Sequence, residues 1–453
     1  MAISSPGLGS GLDVNGIVSQ LVALERRPIE ALQVRKTELT TQLSSFGLLQ
    51  SYAANLQSAA GELAKPSNWS KNTAGSTAID TVSASASATA SPGSYRVEVT
   101  TLAAAQSLAS AAQAGGSSTV MGTGTLNIQV GSGTAVAVEI TTENQTLAGI
   151  RDAINAANAG VNASIVSDAG GARLVLSSRT TGAANTITVT QDAGGSLAAL
   201  TTGGGLSQIQ AAADAAFTIN GLGLTSATNT LTNVVDGLSL TLSRTTTTPV
   251  TVNVGTDTAA MRKTVSDFVT AFNDIARFLA QQTNYDEASK AAGALQGDRT
   301  AVGLENKLRQ MVQQASGASS EFRQLSDLGL ELQRDGTIKL NESKLNTALQ
   351  NPTAVSAAFT TAGSGFGPRF KALADAAVGS NGLLTTRAEG LRATISRNER
   401  DQARYEDRLE RIEERLLRQY AALDTSMAQL NSLSSYMNQQ VTNWNKMNLY
   451  DSD

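Results

Sequence analysis

The feature that most constrains this chain is its C-terminal arm. Thr386 to Lys446 contains no proline and one glycine, Gly390. Along it, apolar or aromatic residues recur in steps of three and four: Ala388, Leu391, Ile395, Tyr405, Leu409, Ile412, Leu416, Tyr420, Leu423, Met427, Leu430, Leu433, Met437, Val441 and Trp444. That spacing predicts one long helix with an apolar seam, reaching roughly 90 Å at 1.5 Å per residue. Asn398 and Gln402 sit on the seam between Ile395 and Tyr405, where polar residues weaken packing and fix register. The outer face is charged, with Asp407 four before Arg411 and Glu414 four before Arg418, the favoured helical orientation. Burying one Leu or Ile contributes about 1.5–3 kcal/mol, and fixing each residue's backbone costs about 1–2 kcal/mol. A seam with roughly two apolar residues per heptad needs a second helix.

The other terminus supplies one. Met1 to Gly11 is rich in small residues and is expected to stay disordered until partnered. Gly7, Gly9 and Gly11 follow no strand, so a dinucleotide-binding loop is not indicated. Asp13 is a candidate N-cap for a stripe of Val14, Ile17, Val18, Leu21 and Leu24. Pro28 is expected to break or restart the helix. Leu32, Leu39, Phe46, Leu49, Ala53, Leu56, Ala60 and Leu63 then follow at heptad-like positions. Both termini thus carry amphipathic helices, and everything between them is an insertion.

That insertion begins with residues 66–94, which read as linker and edge material ending at Pro92 and Gly93. Period-two patterning predicts antiparallel strands at Tyr95–Val99, Leu126–Val130, Val136–Ile140, Val161–Val166, Arg173–Ser177, Thr186–Thr190, Phe217–Ile219, Leu238–Leu242 and Val250–Val254. A short helix interrupts at Thr146–Asn158. Helix returns after Asp257 with Met261, Val265, Phe268, Phe272, Ile275 and Leu279, then Leu304 to Val312. Asp335-Gly336 between Leu328–Leu332 and Ile338–Leu340 predicts a hairpin. Asn341 caps a helix through Leu345 and Leu349 that ends at Pro352.

Among 453 residues there is no cysteine and no histidine. That removes Cys/His zinc sites, Ser-His-Asp triads, thiol nucleophiles and disulfides. The net charge is −4, and Arg96, Arg151, Arg173, Arg179 and Arg244 are the scattered cations between residues 72 and 256, so no nucleic-acid footprint is present. Neither a membrane span nor a secretory signal pattern is visible; no Lys or Arg precedes Arg26. Asp168 and Asp192 beside glycines read as turn residues rather than calcium ligands. The adjacent Asp286 and Glu287 do not make a general acid/base pair, and the sequons at Asn68, Asn144, Asn162 and Asn341 arise by chance at this Ser/Thr content. No catalytic, cofactor-binding or metal-binding residue is assigned.

Read together, the termini resemble the flagellar filament cap family, hook-associated protein 2. The stretch GLGSGLDVNGIVSQLVALERRPIEAL carries the likeness through Gly9 to Asp13, Val18, Leu21, Glu25, Pro28 and Leu32. The later part carries it through Phe272, Asn273, Gly297, Asp298, Leu328, Gly329, Asp335, Gly336, Leu340, Leu345, Leu349, Leu423, Met427 and Leu430. Thr146 to Val189 also resembles a module shared by flagellin-like axial proteins. The resemblance implies a structural, non-enzymatic α+β multidomain protein in which long terminal helices form a coiled-coil or bundle leg and β-rich head domains are inserted.

It implies four parts: a docking segment (1–35 and 430–453), a helical leg (36–70 and 256–429), an inner β-rich head domain (71–110 and 211–255) and an outer one (111–210). Filament docking is assigned to Leu12, Ile17, Leu21, Leu24, Leu423, Met427, Leu430, Leu433, Met437, Val441 and Trp444. The coiled-coil seam is assigned to Leu32, Leu39, Phe46, Leu49, Leu56, Leu391, Ile395, Leu409, Ile412 and Leu416. The implied partners are further copies in a homo-oligomeric ring, with five subunits the family's commonest number, flagellin, hook–filament junction proteins, a flagellar export chaperone and host surface receptors; nucleic acid and membrane are not among them. The implied place is extracellular, at the distal tip, after type III export. A flagellin-like or junction axial subunit and a tip-borne adhesin stay open as alternatives.

Overall fold

The computed structural model describes residues 13–286 and 290–450, the side chains of 286 and 445–450 excepted. The expected disorder of Met1–Gly11 and the Glu287 reading lie outside the described residues. The chain divides into two compact units, Met1–Pro66 with Arg262–Asp453, and Ser67–Met261.

The first unit is built on helix α1, Val14–Leu63, and helix α8, Leu383–Tyr450. Asp13 caps α1 by accepting from the Gly16 amide at 2.9 Å. Pro28 does not interrupt it: α1 runs through as 50 residues. The expected break is overridden because Val22 and Ile29, on either side of the proline, are both buried in the cluster with Leu409, which offsets the local cost of about 3 kcal/mol. Lys36 Nζ reaches Glu399 Oε1 at 2.8 Å and Gln50 Nε2 donates to Thr385 Oγ1 at 3.3 Å, so the helices run antiparallel.

Towards the end of α1, Phe46, Leu49, Ala53, Leu56, Ala60 and Leu63 are buried. Helices α3 (Thr258–Thr283), α4 (Arg299–Gln313), α5 (Glu342–Ala348), α6 (Pro352–Thr360) and α7 (Phe366–Val378) complete the unit. Phe370 meets Phe268 at 5.0 Å and Phe272 at 6.0 Å, both edge-on, the preferred aromatic geometry. Pro352, expected to stop a helix, is the first residue of α6, where its missing amide costs nothing.

The residues of the resemblance have physical roles here. Asn273 donates to the Ile338 carbonyl at 2.9 Å and accepts from the Ile338 amide at 2.7 Å, holding the Asp335-Gly336 hairpin. Its turn has Gly336 at φ 86°. Asp298 caps α4 and pairs with Arg387 of α8 at 2.9 Å.

The second unit holds two cores. Strands β1 (Asn72–Ser76), β2 (Val82–Ala86) and β3 (Gly93–Thr101), with β11 (Ala215–Ile219), β12 (Leu222–Ser226), β13 (Thr230–Val235), β14 (Leu238–Leu242) and β15 (Val250–Thr256), form sheets ordered β1-β15-β3-β11-β12 and β13-β14-β2. They enclose Val82, Val97, Val99, Phe217, Leu240 and Val252. The stretch read as linker is therefore two strands. Its Ser/Ala alternation has little intrinsic strand character, and the pairing is supplied by β15 and β14 from more than 150 residues away in sequence.

The second core lies among β4 (Ser107–Ala109), β5 (Gly124–Val130), β6 (Val136–Ile140), α2 (Leu147–Ala156), β7 (Val161–Asp168), β8 (Gly171–Ser178), β9 (Ile187–Gln191) and β10 (Ser207–Gln210), ordered β10-β4-β8-β7 and β6-β5-β9. Thr146 caps α2, whose Leu147, Ile150 and Ile154 are buried. Asp168 closes the β7–β8 turn by accepting from the Gly170 amide at 2.7 Å. That bond and Arg173 hold its carboxyl below the usual range. Two short ladders in the first unit, β16 (Tyr285–Asp286) with β17 (Ala291–Ala292) and β18 (Leu330–Leu332) with β19 (Ile338–Leu340), complete the inventory.

A close approach in the first unit gives a direct test. A Cβ on Gly367 would lie 2.7 Å from both the Ala64 amide nitrogen and the Phe359 carbonyl oxygen, backbone atoms that cannot swing away. Gly367→Ala is expected to destabilise the helical unit by about 1–3 kcal/mol, measured by urea unfolding followed at 222 nm. An unchanged midpoint would show that α7 can back away from the end of α1.

Candidate functional site

The candidate site is the part of α8 that extends past its pairing with α1. Val14, Val18, Val22 and Ile29 of α1 cluster with Leu409, and Leu416, Leu417 and Tyr420 pack against them half-buried. The antiparallel register brings the start of α1 abreast of the turn around Tyr420. Beyond it α8 continues to Tyr450, and Leu423, Met427, Leu430, Leu433, Met437, Val441 and Trp444 are exposed, from 37% at Met427 to 71% at Trp444.

Leu423, Leu430, Met437 and Trp444 are seven apart, and Met427 and Val441 are each four beyond one of them. A seven-residue repeat marks a stripe made to face another helix. The local chemistry changes with it. From Arg397 to Arg418, 14 of 22 residues are charged, whereas between Arg418 and Lys446 the single charge is Asp424. The other polar residues of that stretch, Tyr420 and Tyr436 apart, are Ser, Thr, Asn and Gln, groups that can be taken out of water with far smaller penalty than ions.

The structure places the other residues singled out in the sequence as follows. Leu39, Phe46, Leu49 and Leu56 of α1 and Leu391 and Leu409 of α8 are buried. Leu32, Ile395, Ile412 and Leu416 are half-buried. Of the N-terminal docking set, Ile17 and Leu21 are half-buried and Leu24 is exposed; Leu12 lies outside the described residues. Asn398 is buried on the seam and accepts from Gln402 Nε2 at 2.7 Å. The sequence reading missed Val22, Ile29 and Leu417. Val14, Val18 and Val22 are spaced by four and Ile29 follows seven later, a signal hidden by the expected break at Pro28.

Chemically, this arrangement can pack against other helices. Among the described residues no group of three or more acidic side chains could hold a metal, and no helix is long and apolar enough to cross a membrane.

Three family models match the chain: Flagellar hook-associated protein 2 N-terminus over residues 10–106, Flagellin hook IN motif over 125–180, and Flagellar hook-associated protein 2 C-terminus over 212–432. The A-type flagellar hook-associated protein 2 of Pseudomonas aeruginosa is 32% identical, with 96% of each chain covered. Flagellar hook-associated protein 2 of Escherichia coli K12 is 28% identical, with 98% of each covered. The crystal structure of the D1-D2-D3 domains of the flagellar cap protein FliD from Escherichia coli superposes with a TM-score of 0.63 at 28% identity, over 77% of this chain and 99% of that one. Terminal helices with inserted β domains and these matches define a structural protein of the bacterial flagellum. The chain belongs to the flagellar hook-associated protein 2 family.

The buried and exposed apolar positions should respond oppositely. Val18→Asp, which puts an unpaired carboxylate into the α1–α8 cluster, is expected to cost about 2–5 kcal/mol. The triple change Leu430→Asp, Leu433→Asp and Met437→Asp is expected to leave the unfolding free energy of unassembled protein within about 0.5 kcal/mol per site. Urea titrations of both proteins, side by side, check the contrast.

Proposed function

We propose that this chain is the structural cap at the extracellular, distal tip of the flagellar filament, where it forms a homo-oligomeric ring, promotes folding and insertion of exported flagellin and prevents its loss. The observation that carries this is the exposed seven-residue repeat on α8 in a chain of this family. Seven large apolar side chains left in water are a standing cost, since burying each contributes about 1.5–3 kcal/mol. A helix that bears them is built for an assembly.

The docking residues act in this reading as the contact with the filament, together with Ile17, Leu21, Leu24 and Leu12 from the other terminus. The two β cores of the second unit act as the inner and outer head domains. Five copies per ring, junction proteins met during assembly, an export chaperone that covers the seam before secretion, and host surface receptors met by the exposed head are the partners that go with it.

The test is a strain lacking the gene, with and without complementation, assayed for unassembled flagellin in the medium. Heavy leakage of monomer, reversed by complementation, is expected. Complementation by the Leu430, Leu433, Met437 triple variant is expected to fail while the secreted protein keeps its β domains folded. Normal filaments without leakage in the deleted strain would overturn the cap reading and leave an adhesin or accessory subunit. Docking unchanged in the triple variant would overturn the assignment of the seam.

A further inference from the structure

Upstream of the exposed seam, α8 carries a second pattern that its apolar packing does not use. Between Arg397 and Arg418 there are seven arginines and seven acidic residues, so this stretch of helix is neutral overall, yet the arginines gather on one side and four of the glutamates on another, with Asp401, Asp407 and Glu414 bordering the arginines. Arg397, Arg404, Arg411 and Arg418 are seven apart, with Arg408 and Arg415 set between them. At 3.6 residues per turn these fall within an arc of about 80° on one side of the Leu409 face. Glu399, Glu406, Glu410 and Glu413 fall within about 60° on the other side.

The tertiary structure bears out this sidedness. An open cleft of about 530 Å³ between α1 and α8 is lined by Glu30, Glu406, Glu410 and Glu413 along with Arg26, while Arg408 lines a smaller cleft on the opposite flank, with Glu25, Pro28 and Ile412. The six arginines and four glutamates are all exposed. Among the described residues, the charges of 397–418 close two ion pairs: Arg404 with Asp401, and Glu399 with Lys36. The helical pairs Asp407–Arg411 and Glu414–Arg418 stay open. The charge is therefore largely unspent within the chain.

We infer that these two stripes are the two halves of a contact between adjacent legs, the occupant of each being the opposite flank of a second copy of this chain. A neutral helix with one basic and one acidic flank does not suit a partner of a single sign. It is complementary to itself, and only in one sense. Two copies related by a two-fold axis, parallel or antiparallel, would bring basic flank to basic flank or acidic to acidic. Copies standing parallel in the same sense bring the arginine stripe of one against the glutamate stripe of the next, and the seven-residue spacing on both keeps the match along the helix. Such a contact is heterologous, with different patches on the two sides, and it closes into a ring when the rotation between neighbours closes. The inference rests on the ring in the proposed function and names the surface that sets its handedness and spacing.

The experiment uses full-length protein with charge reversals on each flank: Arg408→Glu, Arg411→Glu and Arg415→Glu on one, Glu406→Lys, Glu410→Lys and Glu413→Lys on the other. Sedimentation velocity across a salt series reads association of the wild type, each variant, and their equimolar mixture. The wild type is expected to weaken as salt rises, because exposed charges are screened over about 8 Å at physiological strength. Each variant alone is expected to associate roughly tenfold or more weakly. Mixing the two, which sets the three introduced glutamates of one leg against the three introduced lysines of the next, is expected to restore association. Undiminished association of both variants, or loss without recovery on mixing, overturns the assignment. Should a triple variant lose helicity by circular dichroism, Arg411→Glu and Glu410→Lys carry the same comparison. The flagellin-leakage assay is independent of this result, so failure of the stripe contact and failure of the cap reading are separable.

Discussion

The helical unit of this structure depends on the antiparallel pairing of α1 with α8. The two helices are separated by more than 300 residues of chain, and neither has an apolar face dense enough to persist alone. Once paired, they close the first unit, and the second unit becomes an insertion whose own cores do not need the terminal seam. The pairing also decides where the exposed seam begins. Past the stretch paired with Val14–Ile29 of α1, apolar positions that continue the same repeat pass from buried at Leu409 to exposed at Leu430.

The change from buried to exposed coincides with a change in chemistry. Along the paired stretch, α8 is laced with arginine and glutamate; beyond it, Asp424 apart, the backing residues are uncharged and mostly polar. Ions keep a helix soluble beside water and resist enclosure. Amides and hydroxyls tolerate enclosure when they find hydrogen-bond partners. One helix thus carries a section suited to solvent and ionic neighbours, followed by a section suited to close packing inside an assembly.

Several parts of this fold were legible in the sequence because their signals are local. The caps at Asp13 and Asn341 and the Asp335-Gly336 turn rest on interactions within a few residues. The alternating Val and Leu of the central strands report burial directly. The misreadings are equally instructive. Pro28 carries a strong local signal for a helix end, and long-range burial of Val22 and Ile29 overrode it. The small and polar residues of β1 and the Ser/Ala alternation of β2 carry almost no strand signal of their own, and their hydrogen-bond partners β15 and β14 return from the far end of the insertion.

The sequence by itself determined that both ends of the chain are amphipathic helices, that β-rich material lies between them, and that thiol and imidazole chemistry is absent. These follow from residue type and period alone. Only the tertiary structure decided which seam residues are spent on α1–α8 packing and which are left over, since period is identical on both sides of Tyr420 and exposure depends on where the partner helix starts. It likewise decided that the arginine and glutamate stripes lie on opposite flanks of the pair, because a flank has meaning only once α1 occupies the face between them.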